Sequence, residues 1–456
     1  MYRITTEVEV MALTYEESLE HFLGTFKKSK EMAEKASQYI PGSYSRKSFN
    51  YGPHAIYVDK AEGAYVYTVD GKKLLDFNNN FTVSVLGYQN EAVDKAIIDT
   101  MKKGFSIGNP TDEEIELAKM LCERIESFEK VKFFCSASEA CVGALRIARG
   151  YTGKNKVAKM EGGYHGFLDD FSFSAHPDAS KADDDLENIK PQSESIGIPE
   201  NRADDVVLLT QNNYEVCEKL IRKYADELAC VVMEPQSGSG GIVTLDVDFV
   251  KKIRELTKEL GILLIFDETI MIRAYKGGFQ SKYGIIPDLT ISGKTIGGGI
   301  PLGVVGGQSK VMDIVASDDV SMSGTHHGHR LACAAGIATL KQLDDAAYDK
   351  LNGMAERIKK ELNSWAEEKK IPFIIFGESS VIGYAFTKEL GQKITTHRDY
   401  WKCSDGKKMQ TFALEIAARG FLPVHRGQLG LTLAMTDQDI TDFIETTKDI
   451  VEKMYS

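Results

Sequence analysis

No uninterrupted apolar run in this sequence reaches the length of a membrane span. The N-terminal stretch MYRITTEVEVMALTYEESLEHF lacks the basic-then-apolar order of a secretory signal. The seven cysteines are odd in number, scattered and without CxxC spacing, which argues against a disulfide framework or a zinc site. Cys135, Cys141, Cys230 and Cys333 lie in apolar stretches and read as reduced core residues of a cytoplasmic protein. Positive charge is not in excess: the net charge of −12 argues against nucleic acid or an anionic membrane as the main partner. Low-complexity linkers and obvious repeats are also missing. What remains is an ordinary globular balance, 43% hydrophobic and 27% charged, in 456 residues, enough for two or more domains.

The pattern along the chain divides it in three. Residues 1–79 carry a charged, helix-favouring stretch (14–38) and two short strands, AIYVDKAEG and AYVYTVDG, closed by an Asp-Gly turn. Residues 80–344 alternate helix and strand. Helices are expected at 111–127, with Thr111 and Glu114 as a capping box, and at 138–152, 213–227, 246–260 and 329–343. Between them lie VKFFCS, KVAKM, DVVLLT, ACVVMEP, ILLIFD, LTIS and GVVGG. Such runs, separated by helix-length segments, predict a mostly parallel sheet covered on both faces. Residues 345–456 read as a smaller α+β domain, with a long charged helix first (about 345–370). Ligands of open parallel sheets bind at the carboxyl ends of strands, where Ser136, Glu234, Asp267 and Lys294 fall.

ISGKTIGGGIPLG (291–303) contains the Gly-Lys-Thr that ends a P-loop, and the preceding GILLIFDE resembles a magnesium-binding strand. The match fails on spacing. The position that a P-loop fills with its first glycine is Asp288, whose carboxylate would repel phosphate, and the glycines follow the lysine. The acidic strand also precedes the lysine, the reverse of the usual ATPase order. An exposed structural lysine is the plainer alternative.

A lysine can instead form an imine with a carbonyl when its ammonium is partly desolvated. Pyridoxal phosphate needs such a lysine, an acidic partner for its pyridine nitrogen and a phosphate cradle. Lys294 is the imine candidate, and Asp267, closing ILLIFD, is the pyridine partner. In CSASEACVGALRIARG the amides of Ala137 and Ser138, with the Ser138 hydroxyl, can bind phosphate at a helix N-terminus. Taken singly, each residue also has an ordinary structural reading as a cap or salt-bridge partner.

These stretches together resemble the class III aminotransferases of the pyridoxal phosphate fold-type I superfamily, which include glutamate-1-semialdehyde aminomutases and β-amino-acid transaminases. The resemblance runs from IPGSYSR (40–46) to GFLPVHRG (420–427). It takes in FFCSASEACVGALRIARGYTG, EGGYHG, MEPQSGSGG, the block FDETIMIRAYKGGFQSKYGIIPDLTISGKTIGGGIPLGVVGG and SGTHHGHRLACAAG. It implies a large mostly parallel α/β domain plus a smaller α+β domain. Lys294 would hold the cofactor and shuttle protons, and Asp267 would bind the pyridine nitrogen. Tyr164 would stack on the ring, with Thr269 behind it where the family usually has valine. Ser136, Ala137 and Ser138 would bind phosphate, and Glu234 would orient the site. Thr325 would reach the phosphate of a neighbouring subunit, which implies a homodimer.

The phosphate loop reads Ser-Ala-Ser where the family usually has Ser-Gly-Thr, which is compatible with binding if the turn needs no positive φ. HHGH (326–329) is unusual, but no matching acidic or cysteine cluster is evident in the sequence, and a resident metal is not expected. Arginine is the best carboxylate grip. Arg46, after PGSYS, and Arg426, in VHRG, match substrate arginines of the family, while Arg273 aligns with an arginine that can be structural. The expected reaction moves an amino group between a carboxylate-bearing amino acid, of the β type among others, and a keto acid. A 2,1-aminomutase and an amino-acid racemase or epimerase are the alternatives. The aminomutase reading is weakened by the compact HRGQLGLTLAM segment.

Overall fold

The computed structural model describes residues 12–46, 50, 52–182, 184–317, 319–424 and 426–456. Residues 1–11 of the stretch read for a secretory signal, and His425 of VHRG, lie outside the described residues.

Three sheets organise the chain. The strands β1 (Val58–Glu62), β2 (Tyr65–Thr68) and β3 (Lys73–Asp76) form an antiparallel N-terminal sheet. The large sheet holds β4 (Lys130–Phe134), β5 (Lys156–Met160), β6 (Val206–Leu209), β7 (Leu228–Met233), β8 (Leu263–Asp267), β9 (Leu289–Gly293) and β10 (Gly303–Gly307) in the order β4-β10-β9-β8-β7-β5-β6. It is parallel except for β10, which runs antiparallel to both β9 and β4. A third, antiparallel sheet holds β11 (Phe373–Glu378), β12 (Val381–Phe386) and β14 (Gln428–Gly430), while β13 (Phe421–Leu422) returns to pair in parallel with β3.

The apolar runs are continuous because both faces of the large sheet are covered. Val231, Leu264 and Phe266 point into one core with the helices Tyr214–Lys223 and Val247–Glu259. Their neighbours Cys230, Val232, Leu263 and Ile265 point into the other, with the helix Ala137–Thr152. This is the period-two alternation of a strand, and each fully buried side chain of this kind contributes about 1.5–3 kcal/mol. A further core packs the helices Asp345–Lys369, Gly406–Ala418 and Asp437–Tyr455 on the third sheet through Tyr384, Phe386 and Phe412.

Two local expectations are corrected. The N-terminal helical stretch is two helices, Tyr15–Thr25 and Lys27–Ala36, broken at Phe26, whose side chain is buried. Thr111 caps the helix Asp112–Arg124 only by position: its hydroxyl has no partner, and no capping box forms. The Glu114 carboxylate is turned instead against Gly328, where a Cβ would come within 2.6 Å of it.

Candidate active site

The carboxyl ends of β4, β5, β7, β8 and β9 converge on one edge of the large sheet, and the sequence-predicted residues project there. After β4, Ser136 caps the helix Ala137–Thr152, its hydroxyl accepting from the Glu139 amide at 3.2 Å. The first-turn amides of Ala137 and Ser138 have no carbonyl to donate to within the helix, so the positive end of a 16-residue helix faces this edge. Ala137 is the first residue of the helix and has no left-handed φ, so alanine fits where glycine is usual. The helix end can sit this deep because position 303 is glycine: a Cβ there would lie 2.1 Å from the Ser136 carbonyl oxygen.

Asp267 ends β8 with 4% of its surface exposed. His165 Nδ1 donates to its Oδ2 at 2.8 Å, and the Thr269 amide donates to its Oδ1 at 3.0 Å. Burial alone would raise this carboxyl, but His165 and Thr269 outweigh it and hold Asp267 below its ordinary value, ionised. Sequence reading quoted His165 within EGGYHG without giving it a role. Its signal was the family segment itself, not any property of the residue.

Glu234, after β7, is buried, and burial pushes its carboxyl up. Its oxygens accept from the Tyr164 and Gly238 amides, each at 3.0 Å, which ties the loop after β5 to the end of β7. The same loop is anchored from behind by a buried fork in which Arg398 Nε and Nη2 donate to Glu161 at 2.6 and 3.2 Å. The Tyr164 ring remains 40% exposed, open to a stacking ligand. A cleft of about 470 Å³ extends from Tyr164 and Gly166 to Glu194 and Ile198.

Lys294 follows β9 with a left-handed φ of 51°, a conformation that side chains rarely adopt and that strained functional positions share. Burial pushes its amine down to about 8, with Arg46 and Arg273 acting in the same direction and Glu234 and Asp267 opposing. The P-loop alternative fails on the structure as well. Asp288, where that motif needs glycine, accepts from Arg254 Nη1 at 2.7 Å and from the Leu264 amide at 2.8 Å, a strand-start anchor. The trailing glycines serve packing: a Cβ at Gly298 would lie 2.4 Å from the Ala335 carbonyl of the helix Arg330–Leu340.

Arg46 donates to Asn80 Oδ1 at 3.0 Å and lies 4.2 Å above the Phe81 ring. Its seat is a run of four left-handed residues, Asn79 to Thr82, stapled by Asp76 and Asn78, which accept from the Asn79 and Phe81 amides. Arg426 sits across the site, and both arginines pull the Tyr164 phenol down against the larger upward push of burial. Arg273 stands apart from them. Wholly buried, it donates to Ser380, Asn79, the Thr82 carbonyl and the Leu431 carbonyl, which is the structural role. Thr325 lies exposed, before the helix Arg330–Leu340.

The fold gathers an acidic and a cysteine side chain beside one of the HHGH histidines, a cluster not evident in the sequence. Cys135, Glu139 and His327 do gather, with ligand atoms within 4.8 Å of one another. The sequence hid this because β4 and the HHGH loop are far apart in the chain. Among them Glu139 Oε2 is already engaged, accepting from the Cys135 amide at 2.9 Å and facing His327 Nε2 at 3.3 Å.

A buried ionised aspartate, a lysine with a depressed amine and a helix end with free amides, all on one sheet edge, fit pyridoxal phosphate. Comparison with known proteins agrees. The profile of the family "Aminotransferase class-III" matches residues 47–451, and the chain belongs to that family. It is a pyridoxal-phosphate-dependent enzyme of fold type I. The glutamate-1-semialdehyde 2,1-aminomutase 2 of Bacillus pumilus (strain SAFR-032) is 34% identical over 439 residues, 94% of this chain and 99% of that protein. The glutamate-1-semialdehyde 2,1-aminomutase of Desulfotalea psychrophila is 40% identical over 331 residues, 71% of this chain and 75% of that protein. Among solved structures, an omega-transaminase from Sphaerobacter thermophilus superposes with a TM-score of 0.88 at 28% identity, covering 94% of this chain and 98% of that one. A β-phenylalanine aminotransferase from Variovorax paradoxus superposes at 0.87 with 26% identity, covering 96% of each chain.

Proposed function

We propose that the enzyme is an aminotransferase acting between a carboxylate-bearing amino acid, β-amino acids included, and a keto acid. The observation that carries this reading is the pair of guanidinium groups, Arg46 over the Phe81 ring and Arg426 on His176, whose ring centroid lies 6.1 Å from that of Tyr164. Two such cations suit substrates whose carboxylates must be oriented.

Pyridoxal phosphate, which Lys294 would hold, would supply an electron sink for the reacting carbon and a carrier for the amino group. Lys294 would move the proton at the reacting carbon, a task suited to an amine whose pKa burial lowers to about 8. Asp267, kept charged by His165, would hold a proton on the pyridine nitrogen. Ser136, Ala137 and Ser138 would hold the phosphate, joined in a homodimer by the partner subunit's Thr325. Glu234 fixes the Tyr164 backbone, so that the Tyr164 ring would cover one face of the cofactor, with Thr269 behind the other. Arg46 and Arg426 take the carboxylates.

The second reading, a 2,1-aminomutase, is favoured by the names of the sequence relatives. The deciding experiment offers the cofactor-loaded enzyme α-, β- and ω-amino donors with and without a keto acid, and separately offers glutamate-1-semialdehyde alone. Keto-acid-dependent transfer is the expected result. Isomerisation of the semialdehyde with no transfer from any donor would replace the proposal with the mutase.

A further inference from the structure

Arg426 is held by a residue that no motif marks. Its Nη1 is hydrogen-bonded to Nε2 of His176. A guanidinium has only hydrogens to offer, so Nε2 is the accepting, unprotonated nitrogen of a neutral ring. The ring proton is then on Nδ1, which donates to Glu194 Oε2 at 2.8 Å. The other oxygen of Glu194 accepts from the amides of Ala175 and His176, each at 2.8 Å. These donors offset burial and keep Glu194 a charged acceptor. The tautomer is therefore fixed from both ends. On the backbone side, Tyr400 donates to the Arg426 carbonyl at 3.0 Å, so side chain and main chain are both tethered.

The interposed imidazole matters. A carboxylate directly on Arg426 would neutralise it and would have to be displaced by every incoming substrate. A neutral acceptor takes one N–H, leaves the rest of the fork free, and keeps Glu194 a ring's width away. The guanidinium then stands oriented and still positive where it acts on Tyr164.

We propose that His176, backed by Glu194, is the positioning residue that presets Arg426 as a standing carboxylate anchor, so that both substrates of the enzyme must carry a carboxylate. This rests on the reading of Arg426 as a substrate arginine. His176 acts through Arg426 and touches no reacting atom.

The test is calorimetric binding of pyruvate and of 2-oxoglutarate to the cofactor-loaded enzyme, with KM and kcat measured alongside. His176→Phe is expected to weaken binding of the keto acid that the enzyme uses at least tenfold and to raise its KM, with kcat within threefold and cofactor absorbance unchanged. His176→Gln, which keeps an acceptor for Arg426, should recover most of that loss. In an Arg426→Ala background, His176→Phe should cost less than a further twofold. Additive losses, or wild-type affinity in His176→Phe, overturn the relay alone. Wild-type affinity for both keto acids in Arg426→Ala removes the anchor itself. Glu194→Gln provides a second variant should His176→Phe fold poorly; its affinity should fall between those of His176→Phe and wild type, and wild-type affinity would count against the relay.

Discussion

His165 Nδ1 and Asp267 Oδ2 stand 2.8 Å apart with both side chains withdrawn from solvent. The carboxylate that would meet the cofactor's ring nitrogen is thus kept charged by a neighbour on a different loop. Losing a hydrogen bond to a charged group costs about 1.5–3 kcal/mol. His165→Leu should therefore weaken cofactor binding roughly 10- to 100-fold, and His165→Asn, which keeps a donor, less. A carboxyl held below its ordinary value gives stability that is present above its unfolded pKa and lost as pH falls through the folded one. His165→Leu should accordingly release cofactor at a higher pH than wild type on acidification, as followed by cofactor absorbance.

Lys294→Met should abolish borohydride-trappable cofactor and lower turnover by about a thousandfold or more. Its effect on the apoenzyme should have the opposite sign. Burial holds the amine down to about 8, so below that pH the folded chain carries a desolvated charge, and the cost fades as pH rises from about 8 toward the unfolded value. At neutral pH, apo Lys294→Met should be more stable than the wild-type apoenzyme by roughly 1–3 kcal/mol, and the gap should close in alkali. Urea denaturation at several pH values checks both halves.

Arg273 spans the Asn79–Thr82 turn, Ser380 and Leu431 with a side chain that solvent does not reach. Arg273→Met keeps much of the volume and orphans those acceptors. It should destabilise the fold by about 1–3 kcal/mol. It should also loosen the seat of Arg46, so thermal melting temperature and substrate KM should move together.

Hybrid dimers test the proposed role of Thr325. If Thr325 serves the neighbouring subunit, Lys294→Ala and Thr325→Ala subunits should each bind cofactor poorly as homodimers. Mixing them should create one site per hybrid with both native residues. Near-wild-type cofactor affinity at up to half the sites of the hybrids is the expected outcome. No recovery in purified hybrids would place Thr325 in its own subunit's site or outside the site.

The strands of the large sheet were legible because burial on both faces makes them nearly continuous apolar runs, as KVAKM and GVVGG show. The reversed direction of β10 was not, since hydropathy carries no polarity. Lys294 and Asp267 were legible from their order and spacing along the block. The histidine behind Asp267 was not, because its partner is 102 residues away and the pairing is set only by tertiary packing. The left-handed turn under Arg46 was hidden for a local reason. Asn78-Asn79-Asn80 tolerates that conformation, but Phe81 and Thr82 do not favour it, and side-chain staples impose it. His176 and Glu194 sit in an aperiodic segment that offers no pattern to read.

The parallel pairing of β3 with β13 sets Asp76 beside Leu422, and the two chains leaving that pairing lead to the Asn79–Thr82 turn and to Arg426. During synthesis Arg46 leaves the ribosome long before its counterpart: 380 residues separate it from Arg426. At ordinary elongation rates that gap lasts on the order of 20–80 s. The last strand of the large sheet ends at Gly307, so only for the final 119 of those residues, on the order of 6–24 s, can the complete sheet close around its edge before Arg426 is made; on the proposed roles, cofactor capture can then precede substrate selection.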